Sequence, residues 1–131
     1  MNYYQSLATL ILRLGLGVMI LLHGVAKIMH PGTLDFIGGK LSNFGLPGEL
    51  AYLVYLGEIL APLMVIFGYF NRLGAIFIIG NMLAAIILVH SSEVFSLTDH
   101  GGWAIELQGM FLLAAVAVAL LGTGKYALRP D

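Results

Sequence analysis

The chain has 131 residues, of which 60% are hydrophobic and only 10% charged, with a formal net charge of −1 at pH 7. A soluble domain carries roughly 25% charged residues, so this composition excludes a water-covered surface and makes lipid the expected solvent. Nucleic acid is excluded as a partner, because no basic face can be assembled. The absence of cysteine excludes disulfides, thiolate metal sites and thiol relays, so any redox chemistry must come from a cofactor, substrate or partner.

A membrane span needs about 20 mostly apolar residues. The first expected span covers about 6–29 and stops at His30-Pro31-Gly32, where proline and glycine break the helix. No basic residue precedes it, Arg13 interrupts it and no A-x-A-like site follows, so it reads as a retained helix rather than a cleavable signal. About twenty residues follow as an expected loop. Phe36, Ile37, Leu41, Phe44 and Leu46 make it too apolar for a disordered tether, so it should lie on the membrane surface or plug the bundle.

The second span, 49–70, begins after Leu46-Pro47-Gly48 and turns at Asn71-Arg72 into the third, 73–90, forming an antiparallel hairpin. A polar loop over 91–102 with Glu93, Asp99 and His100 should face water, and the fourth span covers 103–121. The expected fold is therefore an all-α membrane protein, a single four-transmembrane-helix bundle with short loops over 1–131. Arg72, Lys125 and Arg129 flank one side and Lys27 and Lys40 the other, which places both termini in the cytoplasm by the positive-inside rule. Small-residue pairs such as Gly15 with Gly17, or Gly74 with Gly80, suit packing within the monomer or against a second copy.

The informative residues are those that lipid rejects: Arg13, His23 and Lys27 in the first span, Glu58 in the second and Glu106 in the fourth. A mid-membrane charge costs at least about 2.5 kcal/mol, so each should turn inward and find a partner. At 100° per residue Arg13, Gly17, Ile20, His23, Gly24 and Lys27 share about a third of the helix circumference, forming one polar, glycine-lined face. Depth along the spans suggests that Arg13 meets Glu58 near the midplane, while His23, Lys27, His90 and Glu106 gather toward the opposite end. Asn81 lies nine residues before His90, on the other face of a regular helix, and reads as an interhelical hydrogen-bonding group.

Plainer readings stand beside these. Arg13 with Glu58 can be a buried pair that fixes register, Lys27 can snorkel, and His23 and His90 can be interfacial histidines. His23, His90 and Glu106 are acceptable metal ligands by type, but no ligand spacing supports a metal site. The six methionines are scattered, as packing residues are.

Taken together, LRLGLGVMILLHGVAKI, GLPGELAYLVYLGEILAPLMVIFGYFNRLGA, NMLAAIILVH and the closing LLGTGKYALRPD resemble the DoxX family of small four-helix membrane proteins along nearly the whole chain. The most specific parts are the His-Gly-x-x-x-Lys end of the first span, the mid-span Glu and the Gly-x-Gly-Lys-Tyr terminus. The resemblance implies the bacterial inner membrane and redox surroundings, since relatives include a subunit of a thiosulfate:quinone oxidoreductase and partners of thiol-handling enzymes. The expected function is then a quinone-linked redox component whose polar interior binds a quinone or similar small aromatic, through Arg13, His23, Glu58 and His90. In this reading His23 and His90 donate protons or hydrogen bonds, Lys27 stabilises charge, and Glu58 or Glu106 relays protons to water. The alternative is a non-catalytic anchor or small-solute transporter working with a soluble redox partner.

Overall fold

The computed structural model describes residues 1–131. Helix α1 (Tyr3–Met29) starts where the sequence supplies a cap. The Asn2 side chain accepts from the Gln5 amide at 2.8 Å, and the Gln5 side chain accepts from the Asn2 amide at 3.0 Å, satisfying two amides that a helix start otherwise strands.

The expected loop after α1 contains a helix, α2 (Gly32–Asn43). Its Gly and Pro content hides the pattern that matters, which is Leu34 and Leu41, two turns apart on one face and both buried with Ala51. Asp35 in the first turn and Lys40 in the last suit the helix dipole. A Cβ on Gly38 would meet the Gly48 carbonyl at 3.3 Å, so glycine lets α2 lie directly against the start of the next helix.

Helix α3 (Gly48–Phe67) is irregular: a 3-10 stretch at Gly48–Tyr52, one α-turn at Leu53–Tyr55, a π-turn at Leu56–Leu60 and regular α-helix at Ala61–Phe67. Pro62 gives the physical cause. Proline has no N–H to offer the carbonyl four residues earlier, and its ring collides with that carbonyl. The carbonyl belongs to Glu58, in the middle of the π-turn. Gly68, in the left-handed region at φ 66°, ends the helix and opens the tight turn into α4 (Asn71–Val89).

The segment after α4 is ordered by a 3-10 turn at Ser91–Glu93 and an antiparallel bridge between Leu97 and Trp103. The Trp103 indole donates to the Val94 carbonyl at 2.6 Å. These bonds hold Trp103 in the loop, so α5 (Glu106–Leu121) starts three residues later than the sequence suggests.

The core takes Leu16 and Ile20 from α1, Ala61 and Val65 from α3, Ala75, Ile78 and Met82 from α4, and Phe111, Ala115 and Val118 from α5. Gly17 packs on Pro62 and Ile66, and Gly74 on Met64 and Val65, so both serve contacts within the chain; Gly15 and Gly80 face open space. Large apolar side chains such as Ile11, Leu22, Leu113 and Leu120 point outward, as in a bundle solvated by lipid. Helices α1, α3 and α4 are long and apolar enough to cross a bilayer, and α5 is a shorter apolar helix of 16 residues. The protein is an all-α membrane bundle.

Candidate functional site

Polar chemistry collects at the two ends of the bundle. At the terminal end, where both chain termini lie, the last four carbonyls of α3 need partners from outside the helix. The Gly68 and Tyr69 amides take Met64. Arg13 Nε donates to Val65 at 3.0 Å and Nη2 to Ile66 at 3.2 Å, while the Leu128 amide donates to Phe67 at 3.0 Å. Arg13 Nη1 also donates to Thr123 and Tyr126, at 2.9 and 2.7 Å.

The fully buried guanidinium therefore stitches α1, the end of α3 and the C-terminal segment together through backbone alone. Asp131 closes that segment by accepting from the Thr123 amide at 2.9 Å, and Arg129 stacks on the Phe70 ring. This corrects two expectations. Arg13 does not pair with Glu58, and it does not line the cavity described below. Gly24 is the α1 residue that abuts Glu58, and Arg13 lies eleven residues before it, roughly 16 Å along the helix.

At the far end, Glu58 is held from two sides. Lys27 Nζ lies 2.5 Å from Oε1, and Asn81 Nδ2 donates to Oε2 at 2.8 Å. The Glu58 side chain is only 5% exposed, and the Lys27 side chain 21%. Two glycines make this possible. A Cβ on Gly24 would run into the Glu58 carbonyl freed by Pro62, and a Cβ on Gly57 would run into the Asn81 side chain. Close helix approach and the π-turn together present one carboxylate to a cation from α1 and an amide from α4, and π-turns of this kind recur at functional sites.

These groups border a cavity of about 680 Å³ whose walls are mostly hydrophobic. His23 lines it with its ring edge-on to Phe111, at 5.7 Å between centroids. His90 lines it as well, together with Asn81. Helix α4 stops at Val89 and His90 takes a non-helical conformation at φ −116°, ψ 13°, so the opposite-face phase of a regular helix does not bind the two. Gln108 Nε2 lies 3.3 Å from His90 Nε2. His90 Nδ1 lies 3.4 Å from the half-exposed Glu93 carboxylate without a hydrogen bond between them.

Of the residues singled out in the sequence, His23, Lys27, Glu58 and His90 thus come together around one cavity. Glu106 does not. It occupies the first turn of α5, exposed, with its carboxylate over Gly102, because the helix begins there rather than at residue 103. Asn81, read from the sequence as an interhelical hydrogen-bonding group, makes that bond to Glu58 and lines the cavity as well. Gln108 and Glu93 are the additions: Gln108 carries no charge to betray it among apolar neighbours, whereas Glu93 follows His90 at a spacing of three residues, a signal present in the sequence. Helix α2 supplies Thr33, Phe36, Ile37 and Leu41 to the wall, so the segment expected as a loop covers one side of the site.

No solved structure matches the chain. Among curated proteins it is 30% identical to "Putative oxidoreductase CatD" of Bacillus subtilis (strain 168), over 99% of this chain and 90% of that protein. The DoxX family model matches residues 8–91, a stretch that holds most of α1 and all of α2 to α4, and with them Lys27, Glu58, Asn81 and His90. The chain belongs to the DoxX family.

Proposed function

We propose that this chain is the membrane-embedded component of an oxidoreductase, and that the far-end cavity holds the head group of a quinone or a similar small aromatic. The observation carrying the reading is an apolar cavity whose lining includes the polar residues Lys27, Glu58, Asn81, His23 and His90. Its volume of about 680 Å³ falls among ligand sites, which pair mostly apolar walls with a few placed polar groups. The fit is chemical as well. Lys27, Asn81, His23 and Gln108 bring donors, and Phe77 and Phe111 bring ring faces. The homologue named as an oxidoreductase supports the redox class.

A bound quinone supplies an acceptor for two electrons and two protons, with the electrons coming from a partner. The chain's own residues handle protons and orientation. Imidazole exchanges protons near neutral pH. The half-exposed Glu93, 3.4 Å from His90 Nδ1, gives the ring a connection to water, while Gln108 orients it. Lys27 and Asn81 hold the Glu58 carboxylate at the cavity edge. Ubiquinone and menaquinone analogues are expected to bind the protein in lipid nanodiscs, with His23→Ala and Glu58→Gln each weakening the affinity. Unchanged affinity in both variants overturns the assignment.

One observation favours a second reading, a non-catalytic anchor or small-solute transporter with a soluble partner: Lys27, Glu58 and Asn81 satisfy one another without any ligand. A co-purifying quinone in the lipid extract decides for the redox reading, and an empty protein that retains a soluble partner decides for the anchor. We also infer an inner-membrane location with cytoplasmic termini. Lys27 is tied to Glu58 inside the bundle, which leaves Lys40 to face Arg72, Lys125 and Arg129 in the charge comparison. A C-terminal reporter active only in the periplasm should stay silent.

A further inference from the structure

The cavity is open rather than enclosed. Leu53 of α3 and Ile76, Gly80 and Ala84 of α4 line it, and all four are exposed. Three of them recur every fourth residue and so form one stripe on α4. At the middle of the stripe the wall is nearly absent, since a Cβ on Gly80 would meet nothing within 4 Å. One residue further on, Asn81 turns inward to Glu58. Polarity therefore falls within one helical turn, from a carboxylate with its amide and ammonium to bare glycine and alanine at the lipid.

We propose that this gap is a lateral portal, through which the apolar tail of a lipid-borne ligand lies between α3 and α4 while its polar ring occupies the Glu58 end. Gly80 and Ala84 are then the residues that determine specificity for the tail. The inference rests on the reading of the cavity as a head-group site, and it adds a substrate class: a molecule that arrives from the bilayer rather than from water. An apolar slot gains stability only from apolar surface removed from its surroundings, whereas the polar end selects by hydrogen bonds and charge. One molecule carrying both parts uses both ends of the gradient.

The test uses the full chain in nanodiscs and the double variant Gly80→Leu/Ala84→Leu. Leucine favours a helix more than glycine does and at position 80 enters open space, so the variant should fold. Two probes are compared, a decyl-tailed ubiquinone analogue and the same ring without a tail. The wild type should bind the tailed probe at least tenfold more tightly, and the double variant should bind both equally, at the tailless level. Equal loss for both probes overturns the proposal, because the substitutions then act on the ring end.

A second measurement is independent of quinones. An apolar diazirine dissolved in the bilayer should, on photolysis, label the buried cavity-lining Met82 in the wild type and spare it in the double variant. Unchanged or absent Met82 labelling overturns the portal whatever the quinones do. If neither quinone binds the wild type, the head-group reading fails, and the Met82 labelling alone still decides the portal.

Discussion

Helix α1 carries an inward-turned cation toward each end of the bundle, and the two are treated differently. Arg13, at the terminal end, meets only backbone carbonyls, four of them, in a fixed fork of donors. Lys27, at the far end, meets a carboxylate that an amide also holds, beside a cavity. A guanidinium is planar, always charged and geometrically exacting, and carbonyls cannot take up its proton. Lys27 and Glu58 instead form a side-chain pair at the border of a cavity. The first arrangement fixes a structure, and the second is suited to chemistry.

The sharpest way to break this contrast is at Arg13. Each buried acceptor that loses its donor costs about 1–3 kcal/mol, and Arg13→Ala strips donors from Val65, Ile66, Thr123 and Tyr126. A stability loss of at least about 3 kcal/mol is expected in denaturant titrations in detergent, along with proteolysis of the released C-terminal segment. Arg13→Lys should recover little, because one ammonium cannot reach four carbonyls on two segments. A variant that melts normally but loses ligand would place Arg13 in the site after all.

The far-end pair should separate stability from function. Glu58→Ala leaves Lys27 buried without its partner, and breaking such a pair costs about 3–5 kcal/mol in a full interior, less here because Lys27 keeps 21% exposure. The double variant Lys27→Met/Glu58→Met removes both charges at similar volume and should recover most of that loss. Quinone binding should stay abolished. Recovery of stability and binding together would reduce the pair to a register device.

Gly24→Val offers a smaller perturbation of the same end. Its side chain would press on the Glu58 carbonyl, and such overpacking costs about 1–3 kcal/mol. The visible effect should be on ligand affinity, because α1 carries Lys27 away from α3 when the helices part.

How much of this was legible follows from what sequence patterns encode. Helical periodicity put Arg13, Gly17, Ile20, His23, Gly24 and Lys27 on one face of α1, and the structure buries Arg13, Gly17, Ile20 and Gly24 there while Lys27 reaches Glu58. The pairing across helices was not legible, because span boundaries drawn from hydropathy carry errors of several residues, and at about 1.5 Å per residue these exchange one partner for another. The decisive registers came from glycines, Gly24 on Glu58 and Gly57 on Asn81, whose significance lies in what they touch. Helix α2 was hidden by its glycines, and the shared position of Asn81 and His90 by the unwinding at the end of α4.

The smallest expected effect tests where the site stops. Two acidic residues stand near the far end, Glu93 beside His90 and Glu106 over Gly102. Only Glu93 touches a cavity-lining imidazole, so Glu93→Gln should slow proton-coupled quinone reduction several-fold while equilibrium binding stays within twofold. Glu106→Gln, exposed and outside the cavity wall, should change neither binding nor rate. Measured in the same nanodisc preparation, a slow Glu106→Gln beside an unaffected Glu93→Gln would move the water connection from the end of α4 to the start of α5. The contrast between a backbone-bound Arg13 and a carboxylate-bound Lys27 would survive that outcome, but the route through His90 would not.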